Sequence, residues 1–320
     1  MNIVVLDGHT LNPGDLSWAE LEKLGTCRVF DRTAPEEVLE RAKDADILIT
    51  NKVVIGAMEI EQLRNLKYIG LSSTGYNVVD IEAAAKRFIP VLNVPAYSTL
   101  SVAQLTFAHI LNLCHHVAEH SNSVKNGNWS KSPDFCYWNF PLVELEGLTL
   151  GIIGFGRIGR SVAAIAEQFG MEILIYDIAP SLEISTNLQK VTLETLFQKS
   201  DIITLHCPLT SETEHIVDKN YLSMMKVSAF LINTSRGALV HEQDLADALN
   251  FGKIAAAGLD VLSTEPPSPD NLLLSAKNCY ISPHIAWATT ASRQRLMDVV
   301  VNNVRAFLDG KPINVVNDLK

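Results

Sequence analysis

A glycine-rich hexapeptide standing between two apolar runs leaves few folds open to this chain. Thr149–Ile153 leads into Gly154-Phe155-Gly156-Arg157-Ile158-Gly159. A helical stretch over 160–169 follows, and a second apolar run, Glu172–Tyr176, ends at Asp177. Alone, G-x-G-x-x-G is a weak signal. After a strand, before a helix, and with an acid about 20 residues further on, it is the dinucleotide-binding fingerprint. Gly154 permits the tight turn, Gly156 lets a pyrophosphate approach the backbone, and Gly159 lets the helix pack closely on the strand. Arg157 and Ile158 complete the turn. The helix N-terminus offers unpaired N–H groups and a partial positive charge to phosphates. Asp177 is placed to accept hydrogen bonds from ribose hydroxyls. It would repel a 2′-phosphate by up to ~4 kcal/mol at an effective dielectric of about 20. NAD is therefore the expected cofactor, with NADH preferred over NADPH.

The rest of the chain fits a doubly wound α/β protein. Strands are expected at 3–6, 46–50, 67–71 and 90–94, with helices at 34–44 (Thr33 as cap, Pro35 in the first turn), 60–66 and 79–88. Such alternation implies a parallel sheet covered on both faces. The stretch 99–124 breaks the rhythm as one long helical run, and 127–141 is aromatic and turn-rich. That loop suits a substrate lid, a subunit contact, or packing against its own domain. Alternation restarts at Leu148, with strands at 149–153, 172–176, 201–206, 229–233, 255–261 and 279–282. A last long helix spans 292–308. If it crosses back, the C-terminus completes the N-terminal domain.

Composition narrows the partners. The 320 residues suit two domains. With 47% hydrophobic and 19% charged residues the chain reads as soluble and globular, and its net charge of −10 disfavours nucleic acid and anionic lipid. No run approaches the ~18 apolar residues of a membrane helix, and the N-terminus lacks a signal-peptide pattern. The five cysteines, Cys27, Cys114, Cys136, Cys207 and Cys279, are scattered, which suits reduced thiols in the cytoplasm. Cys207 is read as a small buried residue rather than a reactive thiol. No residues are assigned to a metal.

Three further segments place polar residues at or past strand ends: Asn233-Thr234-Ser235-Arg236-Gly237, Asp260 with Glu265, and Ser282-Pro283-His284. Ligands of open parallel sheets bind at those ends. Reducing a 2-keto acid needs a carboxylate clamp, a proton donor and a group that orients the donor. Arginine offers a bidentate fork, histidine is the usual acid near neutral pH, and a carboxylate orients an imidazole and favours its charged form. Taken singly, Arg236 serves equally to satisfy strand-end carbonyls, and His284 to fill a core position. Together, after a dinucleotide motif, they point to catalysis.

The segments G-I-I-G-F-G-R-I-G (151–159), N-T-S-R-G (233–237), G-L-D-V-L-S-T-E-P-P (258–267) and S-P-H-I-A-W-A-T (282–289) resemble the D-isomer-specific 2-hydroxyacid dehydrogenases. With S-T-G-Y-N-V-V-D (73–80) and N-V-P-A-Y-S-T (93–99) the resemblance spans nearly the whole chain, and it is strongest to the glycerate dehydrogenase (hydroxypyruvate reductase) branch. It implies two Rossmann-like or flavodoxin-like parallel-sheet domains with a cleft between them. Residues 1–98 plus 290–320 would form the substrate domain and 99–289 the NAD domain. It implies that Arg236 binds substrate, that Glu265 pairs with His284, and that His284 is the acid/base. Ser73, Thr74 and Gly75 match the family's substrate loop, with Thr74 also meeting the cofactor. Thr234, Ser235, Arg236, Asp260 and His284 match positions lining the nicotinamide, and His206, Cys207 and Pro208 the loop beside the adenosine half. Asn77 and Gln104 depart from common family choices. Glu265 argues against the formate-oxidising branch, which has Gln there. The implied function is NADH-dependent reduction of a small 2-keto acid, foremost hydroxypyruvate to D-glycerate and also glyoxylate to glycolate, by a homodimer. Another 2-hydroxy acid, or an NAD(H)-sensing binding protein with the same triad, is the alternative.

Overall fold

The computed structural model describes residues 1–179 and 188–319. The chain forms two compact units, Met1–Ser98 with Ala288–Lys320, and Thr99–Trp287.

Unit 1 begins β1 (Asn2–Val5), α1 (Ala19–Glu22), β2 (Thr26–Val29), α2 (Val38–Ala42), β3 (Ile47–Thr50), α3 (Ala57–Gln62), β4 (Tyr68–Leu71), α4 (Ile81–Lys86) and β5 (Val91–Leu92). The five strands run parallel in the order β2-β1-β3-β4-β5. β3 and β4 are buried along their whole length. Continuous apolar runs are what a parallel sheet covered on both faces requires. Where helix starts differ from the sequence expectation, two show a local reason. Thr33 does not cap. Its hydroxyl donates to the Leu6 carbonyl at 2.5 Å, and Glu37 instead accepts from the Ala34 N–H at 2.9 Å. The helix expected at 60–66 forms earlier, because the Glu59 carboxylate accepts from the Gly56 N–H at 2.9 Å and Leu63 already leaves helical geometry.

Unit 2 holds α5 (Thr99–His115) and α6 (Val117–Lys125), which are two helices because His116 adopts a left-handed φ of 47°. There follow β6 (Thr149–Ile153), α7 (Arg157–Gln168), β7 (Glu172–Tyr176), β8 (Leu188–Lys190), α8 (Leu193–Lys199), β9 (Ile202–Leu205), α9 (Lys219–Met224), β10 (Phe230–Asn233), α10 (Glu242–Asn250), β11 (Ala256–Leu259) and β12 (Cys279–Ile281). Among the described residues its seven strands are all parallel, in the order β12-β11-β10-β9-β6-β7-β8. The order reverses between β6 and β9, the switch point where open α/β sheets bind ligands. Alternate strand residues feed two cores. Ile203, Leu205 and Leu231 meet Leu196, Leu222 and Leu245 of α8, α9 and α10, while Ile202 and Ile232 meet Phe107 and Ile110 of α5 and Val162 of α7.

The chain then returns to unit 1 through α11 (Thr290–Leu308), whose Phe307 ring lies 5.0 Å from that of Tyr68 on β4. Val315 bridges Leu92, and Asn317 accepts from the Val91 N–H at 2.9 Å. Among the described residues no helix is long and apolar enough to cross a membrane.

Tyr68 is wholly buried and its hydroxyl has no hydrogen-bond partner among the described residues. Burying an unpaired hydroxyl costs about 1–3 kcal/mol. Tyr68→Phe should therefore leave stability unchanged or raise it by about 1 kcal/mol in chemical denaturation. A loss of about 2 kcal/mol would show that the hydroxyl is in use.

Candidate active site

The glycine turn is built by close approach of two strand ends. Gly154 has φ of +92°, a conformation that L side chains rarely adopt, and a Cβ there would lie 2.5 Å from the Cys207 backbone nitrogen. β6 and β9 can thus leave the sheet side by side. α7 starts immediately after, with Gly156 as its N-cap, Arg157 and Ile158 in its first turn, and a Cβ on Gly156 meeting nothing within 4 Å. Gly159 packs on the Gly154 carbonyl, where a Cβ would come within 2.3 Å. Asp177, just past β7, accepts from the Phe155 N–H at 2.6 Å and from the Ala179 N–H at 2.8 Å. The carboxylate is therefore fixed in place, and each oxygen keeps a lone pair for a ribose hydroxyl. Backbone open at Gly156, a twelve-residue helix behind it and a tethered acid at the next strand end together fit a dinucleotide.

The loop after β9 closes this region. Both ring nitrogens of His206 are buried without a partner among the described residues, and burial pushes its pKa down to about 3. Cys207 is buried, and its thiol is pushed up to about 11 by burial, with the nearby Asp177 charge adding to the rise. It stays a protonated thiol at neutral pH. Its carbonyl accepts from the Ser235 hydroxyl at 2.8 Å, tying the β9 exit to the β10 exit, and the Pro208 carbonyl accepts from Thr213 at 2.7 Å.

At the β10 exit, Asn233 shapes the turn. Its Oδ1 accepts from the Ser235 N–H at 3.0 Å and its Nδ2 donates to the Arg236 carbonyl at 2.8 Å. The hydroxyls of Thr234 and Thr106 of α5 are 3.0 Å apart and buried. Arg236 is exposed and donates from Nη1 to the Ser235 carbonyl at 2.7 Å. The next residue, Gly237, packs so tightly on the segment after β11 that a Cβ would fall 1.9 Å from the Leu262 carbonyl carbon. Glu265 belongs to that segment and accepts from the Leu262 N–H at 3.2 Å. Its other carboxylate oxygen lies 2.6 Å from Nδ1 of His284. Arginine loop, acid and histidine are thus assembled in one unit.

His284 sits in a left-handed turn, φ 53°, unusual for a residue with a side chain. Asp260 holds that turn. Its Oδ1 accepts from the Ser282 hydroxyl at 2.6 Å and the Ile285 N–H at 2.9 Å, its Oδ2 from the Ala286 N–H at 2.8 Å, and its carbonyl from the His284 N–H at 2.8 Å. The imidazole is 31% and the carboxylate of Glu265 33% exposed, so both stay in reach of solvent. Nδ1–H donates to Glu265, which leaves Nε2 as the free ring position.

In unit 1, Ser73, Thr74 and Gly75 follow the end of β4. Ser73 donates to the Gly75 carbonyl at 2.6 Å, Thr74 to the Val94 carbonyl at 2.8 Å, and Asn93 to the Thr74 carbonyl at 2.7 Å. Asn233, Thr106 and Ser282 are shaping residues that motif reading passed over. Asn233 and Ser282 open two of the motifs without being assigned a role there, but Thr106 meets its partner across 128 positions and leaves no local signal.

A doubly wound dinucleotide-type unit bearing arginine, acid and histidine past successive strand ends describes a class of dehydrogenases. The signature of the "D-isomer specific 2-hydroxyacid dehydrogenase, NAD binding domain" matches residues 107–286. A hydroxypyruvate reductase of Blautia hydrogenotrophica is 52% identical, over 99% of this chain and 100% of that protein. A glycerate dehydrogenase of Methylorubrum extorquens is 43% identical, over 88% of each chain. Among solved structures, an acyclic imino acid reductase (Bsp5) in complex with NADPH and D-Arg superposes with a TM-score of 0.85 at 32% identity, covering 99% of this chain and 100% of that one. The chain belongs to the D-isomer-specific 2-hydroxyacid dehydrogenase family, whose members are NAD-dependent oxidoreductases.

The buried neutral state of His206 links this region to stability. Its pKa is far below the unfolded value of about 6.5, so the unfolded chain binds the extra proton first. Its contribution is present above about pH 6.5 and is lost as pH falls toward about 3. His206→Gln should flatten the fall in denaturation midpoint across that window. An unchanged acid slope would show that the imidazole is protonated in the folded protein.

Proposed function

We propose that the protein reduces a small 2-keto acid with NADH, foremost hydroxypyruvate to D-glycerate, with glyoxylate as second substrate. The observation that carries the chemistry is the 2.6 Å contact between His284 Nδ1 and Glu265 in the loops packed beside Arg236. The relatives named for hydroxypyruvate and glycerate support the substrate. When bound, NADH supplies the hydride that reduces the keto carbon. Arg236 takes the substrate carboxylate in a bidentate fork. Glu265 accepts from Nδ1 and fixes the tautomer, so that Nε2–H of His284 delivers the proton to the keto oxygen. The neutral imidazole then regains its proton from solvent, to which it is partly open. Ser73, Thr74 and Gly75 of unit 1 are assigned to the substrate from their place past the end of β4. Unit 2 is assigned to NAD and unit 1 to substrate. The exposed Val117, Trp129, Phe135, Trp138 and Leu142 of α6 and the segment after it support a homodimer, and the five scattered cysteines support a cytoplasmic setting.

A phosphorylated keto acid fits less well, since residues 67–100 offer only Lys67, Lys86 and Arg87 as cations. Lys67 is paired with Asp46, and Arg87 donates to the backbone carbonyls of Ile60 and Leu63.

The test is NADH oxidation by purified protein with hydroxypyruvate, glyoxylate, pyruvate and bulkier keto acids. Hydroxypyruvate should give the highest kcat/KM. His284→Gln should lower kcat by about 10²–10⁴-fold. NADH binding without turnover on any substrate would instead favour a sensor.

The preference for NADH rests on Asp177. Asp177→Ser should raise kcat/KM with NADPH relative to NADH by about tenfold or more, as a close negative charge is removed from the 2′-phosphate. An unchanged ratio would move cofactor selection elsewhere.

A further inference from the structure

Helix α5 touches the exits of the reactive strands through one polar, buried face. Ser101 donates to the Ala286 carbonyl, Thr106 pairs with Thr234, and His109 Nε2 lies 3.0 Å from Ser282 Oγ. His109 is 8% exposed. A polar side chain buried this deeply is kept there by a partner. The space for its ring comes from Gly258 on β11, where a Cβ would meet the His109 Cβ at 2.8 Å and Nδ1 at 2.9 Å.

The direction of each hydrogen bond follows from counting protons. The single Ser282 hydroxyl proton goes to Asp260 Oδ1 at 2.6 Å, and that oxygen also accepts from the Ile285 N–H. Ser282 can therefore only accept from His109, so His109 carries its proton on Nε2. The result is a one-way line: His109 Nε2–H to Ser282 Oγ–H to Asp260, and Asp260 in turn holds both backbone N–H groups that follow His284. Burial holds the His109 pKa below the ordinary histidine value, with the Asp260 charge opposing, so the neutral ring is favoured and its one proton is the one on Nε2.

We propose that His109, acting through Ser282 and Asp260, is a positioning residue that sets the place of His284 for proton transfer. This rests on the reading of His284 as the acid. His109 touches no reacting atom in this scheme. Its hydrogen bond polarises the Ser282 hydroxyl toward Asp260, and Asp260 in turn fixes the left-handed turn that aims the imidazole.

Steady-state reduction of hydroxypyruvate by NADH, together with fluorescence titration of NADH binding, tests it in His109→Leu, Ser282→Ala and the double variant. Each single change should lower kcat about tenfold, with KM and NADH affinity within about twofold of the parent. The double variant should lose no more than either single one, because both cut the same line. His109→Gln, which keeps a donor near the Nε2 position, and Ser282→Thr should recover most of kcat. Unchanged kcat in His109→Leu, losses that multiply in the double variant, or failure of both conservative variants to recover kcat would overturn the proposal. If His109→Leu does not fold, Ser282→Ala against Ser282→Thr and His109→Gln decides. His284→Gln in the same series separates the two readings. If it retains kcat, the acid assignment fails. If it loses kcat while His109→Leu does not, only the positioning role fails.

Discussion

The Asp260 carboxylate is buried, and nearly everything at the reactive strand ends depends on how it is satisfied. It accepts from one hydroxyl and two backbone N–H groups, and its own carbonyl takes a third N–H. A charge removed from water is tolerable only with such partners. The partners it recruits are consecutive, which bends Ser282–Ala286 into a turn with His284 in a left-handed conformation. That conformation costs on the order of 1–3 kcal/mol. Hydrogen bonds to a charged group contribute about 1.5–3 kcal/mol each, enough to offset it. The histidine is thus presented by a strained backbone held from beneath, while Glu265 fixes its ring from the side.

The same edge of the sheet gathers two different constellations because the seven described strands of unit 2 point one way. Where the order reverses, between β6 and β9, the exits run close together, and the glycine turn leaves backbone and a helix N-terminus open beside them. On the β10 to β12 side the exits run on in sequence and are laced together. Ser235 reaches back to Cys207, Gly237 packs on Leu262, Glu265 pairs with His284, and Asp260 holds Ser282. Each link joins neighbouring strand exits, so the parallel register itself brings residues from 207 to 286 into one neighbourhood.

How much of this the sequence disclosed follows from contact range. The glycine hexapeptide and Asp177 share one βαβ unit, and their meaning lies in local spacing. The histidine and arginine segments were legible because each follows an apolar run and so must sit at a strand end. β2 and β8 escaped notice because they are short and half exposed, with Arg28 in one and Lys190 in the other breaking the apolar signal. The run 99–124 contains no glycine or proline to mark its break, which a left-handed His116 supplies without a composition cue. His109 was invisible for a stronger reason. On a helix it looks like any core-facing residue, and the serine it meets is 173 positions away.

Unit 1 is made from both ends of the chain, and this sets an order of events during synthesis. Unit 2 is continuous from Thr99 to Trp287, so all of its strands have left the ribosome before α11 emerges. The first 98 residues, although made earliest, lack the Phe307 ring that covers Tyr68, the Val315 bridge to β5 and the Asn317 side chain that receives the Val91 N–H. The oldest part of the nascent chain is therefore the last to be finished. Its apolar strand edge at β5 waits, through the translation of some two hundred residues, for the closing segment that bridges it.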